Sequence, residues 1–250
     1  MLIKIMVLIL ILIFFYNSKL YFKYIESFKV NSKISVILLN YNRPHNLHKT
    51  LPVLNKNELI SEILVVHGHP DHFFNFKQDK VINIKDYKNN DLYGCARRVF
   101  HIDKCKNDIV LFLDDDVLPS KELIENLYTE LNKDYSKNTL YGCVKRICNL
   151  SGYYTSKENS NIILTPILLI KKTIIKDYLT NKEGFIKYKK WIQVHKGNGE
   201  DLCINMFIRK VQKEDPVYVE GHYDTLDNKD GYHDKPNHYK TRSDFCKKYG

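Results

Sequence analysis

Three consecutive carboxylates, Asp114-Asp115-Asp116, follow directly on the apolar run Val110-Leu111-Phe112-Leu113. A continuous apolar run bounded by charge is expected to be a strand buried on both faces of its sheet, which puts the acids at its C-terminal end. Crowded there, the aspartates repel one another, and a hard divalent cation relieves the conflict. Carboxylate oxygens suit Mn2+ or Mg2+, which usually take one or two protein carboxylates and complete their shell with water and substrate phosphate oxygens. The triplet therefore implies a substrate carrying a diphosphate. The competing reading is an acidic strand-to-helix turn, in which one aspartate caps the helix expected over Ser120 to Leu131 and the others are solvated.

Other residues with chemical potential stand at spaced points. Glu200-Asp201 follows Gly199 and opens a helical stretch that runs to Arg209. Acids in that position can simply complement the helix dipole, worth roughly 0.3–1 kcal/mol, or they can belong to the same site as the triplet. Arg43 lies in the turn Asn40-Tyr41-Asn42-Arg43-Pro44, Arg97-Arg98 precede the acidic strand, and His233, His238 and Arg242 come late in the chain. On residue type alone the arginines are ordinary surface residues and the histidines solvated loop residues. Tyr188 and Trp191 are readable as sugar-stacking rings or as partly buried core.

The elements that would position these groups alternate. Ile34 to Leu39 and Ile63 to Val66 read as buried strands and Val81 to Ile84 as a third; Leu47 to Leu54, Asp91 to Ile102 and the Leu123, Ile124, Leu127, Leu131 stripe have helical spacing. Strands alternating with helices predict an α/β domain with a mixed, mostly parallel sheet, whose ligands bind outside the strand C-termini. Beyond it, Leu140 to Ile147 and Ile162 to Ile170 read as two further strands. Asp177 to Lys196 has no clear period, and Gly231 to Gly250 reads as too polar for core.

At 250 residues there is room for one sizeable domain and a short appendage. The appendage is apolar: Met1 to Tyr16 contains only Lys4 as a charge, and residues 1–23 can span a bilayer if Lys19 and Lys23 snorkel. No small-x-small cleavage site follows, so an uncleaved signal anchor with a short stem over residues 24–33 is expected. The net charge of +10 suits an anionic partner, but the lysines are spread out, without a compact basic block or a nucleic-acid motif. Six cysteines lack zinc-ligand spacing and leave disulfides or buried thiols open. Asn149-Leu150-Ser151 is a glycosylation sequon.

Taken in order, Tyr41-Asn42-Arg43, the aspartate triplet, Glu200-Asp201 with Asn205, and His238-Tyr239-Lys240-Thr241-Arg242-Ser243 resemble the motifs of the exostosin-like glycosyltransferases, glycosyltransferase family 64, over about residues 34–246. That resemblance implies a GT-A fold over 34–250, with a nucleotide-binding half (34–118) and an acceptor half (119–250). It also implies transfer of a sugar, an N-acetylhexosamine with retention, from a UDP-sugar to an acceptor glycan. Arg43 and Arg98 would then meet the donor, with Asp114 and Asp115 around its uracil-ribose or sugar hydroxyls. Asp116 would bind Mn2+ or Mg2+, with His238 as a further candidate ligand. Asp201, beside Glu200, would be catalytic and Arg242 would hold the diphosphate. The anchor would make a single-pass type II membrane protein of the Golgi or endoplasmic reticulum lumen. Cys203 and Cys246 would be near enough to pair if both their segments border the donor site. The chain departs from the family at Tyr93 and at His67-Gly68-His69, where amide side chains are usual. Rival readings are an inverting family-2-like transferase with Asp201 as general base, a catalytically silent sugar-binding relative, and a basic nucleic-acid-binding protein, which the anchor and the acidic triplet oppose.

Overall fold

The computed structural model describes residues 32–155, 160–229 and 231–250. β1 (Ile34–Asn40) is buried along its whole length, as a strand in mid-sheet with both faces covered must be. β2 (Ile60–His67) pairs with it in parallel on one side, β3 (Val81–Lys85) adds beyond β2, and β4 (Ile109–Leu113) pairs in parallel on the other side. Successive side chains of a strand point to opposite faces, and the core divides accordingly. Val36 and Leu38 of β1, with Leu111 and Leu113 of β4, face Leu47, Leu51 and Leu54 of α1 (Pro44–Lys56), whereas Ile37, Leu39, Val110 and Phe112 join the other core layer. α2 (Tyr87–Tyr93) ends at Gly94, whose φ of 53° lies in the left-handed region open to glycine. A tight 3-10 stretch, Gly94–Lys104, then takes over, so the single helix expected over Asp91 to Ile102 is two pieces.

The chain continues through β5 (Val117–Pro119), α3 (Lys121–Lys133), β6 (Leu140–Gly142), β7 (Lys145–Asn149), β8 (Gly152–Tyr154), β9 (Ile162–Ile163), β10 (Ile167–Lys171), α4 (Lys172–Thr180), α5 (Phe185–Val194), α6 (Glu200–Phe207), β11 (Val217–Tyr218), β12 (Tyr223–Thr225) and α7 (His238–Tyr249). β10 runs antiparallel between β4 and β6, giving a seven-stranded mixed sheet in the order β11-β6-β10-β4-β1-β2-β3. The apolar runs expected as single strands are divided. Leu140 to Ile147 splits between the main sheet and a small β8-β7-β9 sheet, and Ile162 to Ile170 splits at Thr165-Pro166. Ser120 caps α3, its Oγ accepting from the Leu123 amide at 3.0 Å. The triplet is therefore not the helix cap.

The unassigned stretch Asp177 to Lys196 carries the end of α4 and all of α5, the two helices separated at Gly184, where a Cβ would stand 2.1 Å from the Tyr178 carbonyl oxygen. Tyr188 is buried, and Trp191 packs edge-on against Phe245 with ring centroids 5.4 Å apart, so these rings serve the core. The C-terminal segment corrects its expectation: α7 buries Arg242, Phe245 and Cys246. It packs on the β7–β8 hairpin, which brings Cys246 to Cys148, and those two form the disulfide, with Cα atoms 5.2 Å apart. The pairing of Cys246 with Cys203 is thus overturned, because Cys203 sits on α6 within the apolar core as a free, buried thiol. The anchor expected over residues 1–23 lies outside the described residues; among these, no helix is long and apolar enough to cross a membrane.

Candidate active site

The register of the parallel strands brings Leu38 level with both Val65 and Leu113, so the turn after β1 and the triplet after β4 emerge side by side. Arg43, at the start of α1, reaches across: it donates to Asp115 at 2.5 Å and to Asp116 at 3.1 Å. The Tyr41 amide completes the hold on Asp115 at 3.2 Å. Arg98, fully buried, donates to Asp114 at 2.5 Å, stands 3.6 Å from Glu200 and donates to the Thr165 carbonyl at 3.2 Å. The Asp114 amide in turn donates to the Pro166 carbonyl at 3.1 Å. The loop between β9 and β10 therefore touches the strand end through its backbone.

On the far side, Glu200 and Asp201 open α6. Glu200 accepts from Thr165 Oγ1 at 2.7 Å. Asp201 accepts from Arg242 at 2.7 Å through one oxygen and from the Leu202 amide at 2.8 Å through the other. Arg242 lies over the Tyr153 ring at 4.5 Å. Asn205, one turn on, spans the Asp201 and Ile163 carbonyls at 2.7 Å each and so locks α6 to β9.

Two adjoining cavities result. One, of about 210 Å3, is lined by Tyr41, Asn42, Asn90, Gly94 and Arg97; the other, of about 300 Å3, by Asp116, Glu200, Asp201, His238 and Arg242. Arg43, Cys95 and Asp114 line both. Of the charged residues and histidines singled out from the sequence as site candidates, all line one of the two except Arg98, which acts from behind Asp114; Tyr188 and Trp191 line neither. What the sequence did not disclose were Asn90, Tyr153 and Thr165. Their chemical types carry no signal until a tertiary partner is in place.

Charge crowding leaves its mark. Burial, reinforced by Asp114, pushes the Asp116 carboxyl up to about 6. Burial also raises Asp115 and Glu200, the second with help from Asp201. Arg98 and Arg242 hold their charge against burial because Asp114 and Asp201 face them. His238 is pushed down to about 4 by burial and by Arg242, so its imidazole is neutral, and its Nδ1 is buried with no hydrogen-bond partner. Where the family usually has an amide, His67 sits fully buried between Asn40 at 2.9 Å and Asn83 at 3.1 Å, and Tyr93 packs on Phe100 and Phe185. Neither reaches a cavity.

No curated protein matches the sequence. Among solved structures the chain is similar to GalNAc-T7 with UDP, GalNAc and Mn2+, at 11% identity and a TM-score of 0.57 over 82% of this chain and 45% of that one. It aligns more loosely, at 15% identity and a TM-score of 0.42 over 58% of this chain and 46% of the other, with the mannosyltransferase PcManGT from Pyrobaculum calidifontis in complex with GDP-Man and Mn2+. The chain thus spans less than half the length of either structure, and the first likeness shows a shared fold, that of the GT-A glycosyltransferases. The model of the glycosyl transferase family 64 domain matches residues 34–250, which carry both cavities and every pair described above: the chain belongs to that family.

Proposed function

We propose that the chain moves a sugar, an N-acetylhexosamine with retention of configuration as in the exostosin-like enzymes, from a UDP-sugar to an acceptor glycan with the help of Mn2+ or Mg2+. The observation that carries this reading is the convergence of Asp114 to Asp116, Glu200-Asp201 and the three arginines Arg43, Arg98 and Arg242 on two joined cavities. Its nearest structural likeness among those above is a complex with UDP and Mn2+.

The residues present fit a divalent cation. Asp116 carries a charge that its surroundings leave under-compensated, and the neutral His238 presents an unpartnered ring nitrogen in the same cavity. Among the described residues no cluster of three or more candidate ligands occurs, so protein would supply one or two donors, as is usual for Mn2+ or Mg2+ bound with a diphosphate. When bound, the ion offsets the charge that gathers on the departing diphosphate. Arg43 and Arg242 offer fixed forks of donors to the same oxygens, and their acidic partners keep them in place before substrate arrives. Asp201, held by Arg242 and its own helix, keeps lone pairs to orient an acceptor hydroxyl or to face positive charge at the anomeric carbon. Arg98 fixes Asp114 for the donor's hydroxyls.

The Cys148–Cys246 disulfide and the neighbouring Asn149 sequon support an oxidising lumen, and with it an anchor over residues 1–23 in type II orientation. Calorimetric titration of UDP with Mn2+, with chelator, and into Asp116→Asn tests the core of the proposal: binding should need both the ion and the carboxylate. Equal affinity in all three would remove the metal and the diphosphate from the site. Anomeric analysis of the product separates retention from an inverting mechanism with Asp201 as general base.

A further inference from the structure

The cavity lined by Tyr41 and Asn42 is not lined by Asp116 or Arg242, which line its neighbour, so on the donor reading above, on which this inference rests, it is where the nucleobase goes. We infer that Asn90, turned by Arg97, is the residue that selects the base: it presents only a hydrogen-bond donor to that cavity and so favours uracil, whose edge carries a carbonyl where cytosine carries an amine.

The argument starts from Arg97, which is 2% exposed and has no carboxylate partner within ion-pairing distance among the described residues. Its guanidinium is instead fixed by backbone oxygens: Gly94 at 3.0 Å, Asn40 at 3.2 Å and Val66 at 3.4 Å. Two of these, Asn40 and Val66, lie at the C-terminal ends of β1 and β2, so moving Arg97 away would take a donor from both strand ends. Its remaining strong contact is Nη1 to Asn90 Oδ1 at 2.7 Å. A guanidinium has no acceptor, so the amide of Asn90 must present its oxygen to Arg97 and its NH2 group elsewhere. Asn90 lines the cavity, and that NH2 group makes no bond within the described protein. A donor held against a positive charge is also polarised, which strengthens it.

Gly68 shows how tightly this lock is built. A Cβ there would stand 2.6 Å from Arg97 Nη2 and 2.8 Å from Asn90 Oδ1. The departure from the family at His67-Gly68-His69 thus has a counterpart: His67 is absorbed into the core, and Gly68 leaves room for the Arg97–Asn90 pair, which takes up base recognition from α2.

The test is calorimetry of the full chain with UDP and with CDP in the presence of Mn2+, for the wild type, Asn90→Asp and Gly68→Ala. A single hydrogen bond made or left unmade at a buried edge sets a preference of about tenfold. The wild type should favour UDP over CDP by that much. Asn90→Asp keeps the bond to Arg97 but turns an acceptor to the base, and should lower the UDP-to-CDP ratio tenfold or more; Gly68→Ala, which displaces the lock without adding charge, should lower it partway. Wild-type binding of UDP with a ratio that Asn90→Asp leaves unchanged overturns the inference alone. Failure of the wild type to bind UDP at all overturns the donor reading with it.

Discussion

Around Asp115 the fastening is local to the parallel sheet: Arg43 leaves the end of β1 and meets the acids at the end of β4, two neighbouring strands in register. Around Asp201 it is made between two helices, outside the sheet. Arg242 comes from α7, 41 residues further along, and α7 is itself tied to β7 by a disulfide that closes a separation of 98 residues. The first side of the site is a by-product of strand pairing, whereas the second depends on a helix docked by an ion pair, a disulfide and the burial of Phe245 against Tyr188 and Trp191.

The largest effect that would sharpen this contrast is kinetic. Asp201→Asn and Arg242→Ala should each lower kcat by roughly 100- to 1000-fold, as loss of a charged group facing the reacting centre does. Because the two side chains hold each other at 2.7 Å, the double variant should lose much less than the product of the two. Multiplicative losses in steady-state rates would mean that they act separately. The disulfide comes next. Cys246→Ser should cost about 2–5 kcal/mol of stability, read as a lower midpoint in urea, while Cys203→Ser, on the free thiol, should not reproduce that loop-closure loss.

A smaller effect belongs to the sheet side. Asp86 and His101 form a buried pair at 2.6 Å. Burial opposes the charge on Asp86, but the hydrogen bond and charge of His101 outweigh it and hold the carboxyl below its ordinary value. A carboxylate depressed in the folded state adds stability that is complete above the ordinary carboxylate range and is lost as the pH falls through its folded value. Asp86→Asn should therefore flatten the acid limb of the stability profile below about pH 4 and cost roughly 1–3 kcal/mol at neutral pH. An unchanged acid limb would assign that limb to other groups. Smallest of all, Lys121→Ala, which removes an exposed pair with Glu125 on α3, should shift stability by under about 0.5 kcal/mol.

The same contrast explains what the sequence could tell. β1, β2 and β4 were legible because strands buried on both faces spell themselves out as unbroken apolar runs, and the acids that end β4 stand at its mouth. The capping alternative fell only to the geometry of Ser120. α7 was misread because its buried face includes a charge: Arg242 counts as polar in any scan, and its partner Asp201 lies on another helix. α5 buries Phe185, Tyr188 and Ile192 at helical spacing, but lysines crowd between them and the lone Gly184 break is not visible as a boundary. Cys148 was a less obvious partner than Cys203 for Cys246 because nothing in a sequence says that a tail will lie on a hairpin.

Two contacts at the heart of the site are made by the carbonyl oxygens of Thr165 and Pro166, which receive Arg98 and the Asp114 amide. A carbonyl has no codon of its own. Single-residue scanning of the β9–β10 loop would report on the Thr165 hydroxyl and the Pro166 ring while leaving both oxygens in place. These contacts are exposed instead to changes of chain length, since one residue added or removed between Ile163 and Ile167 moves both acceptors at once. In a catalogue of variants the loop, its Thr165 hydroxyl apart, would look more tolerant of substitution than of insertion, a pattern that marks positions where the backbone is the functional group.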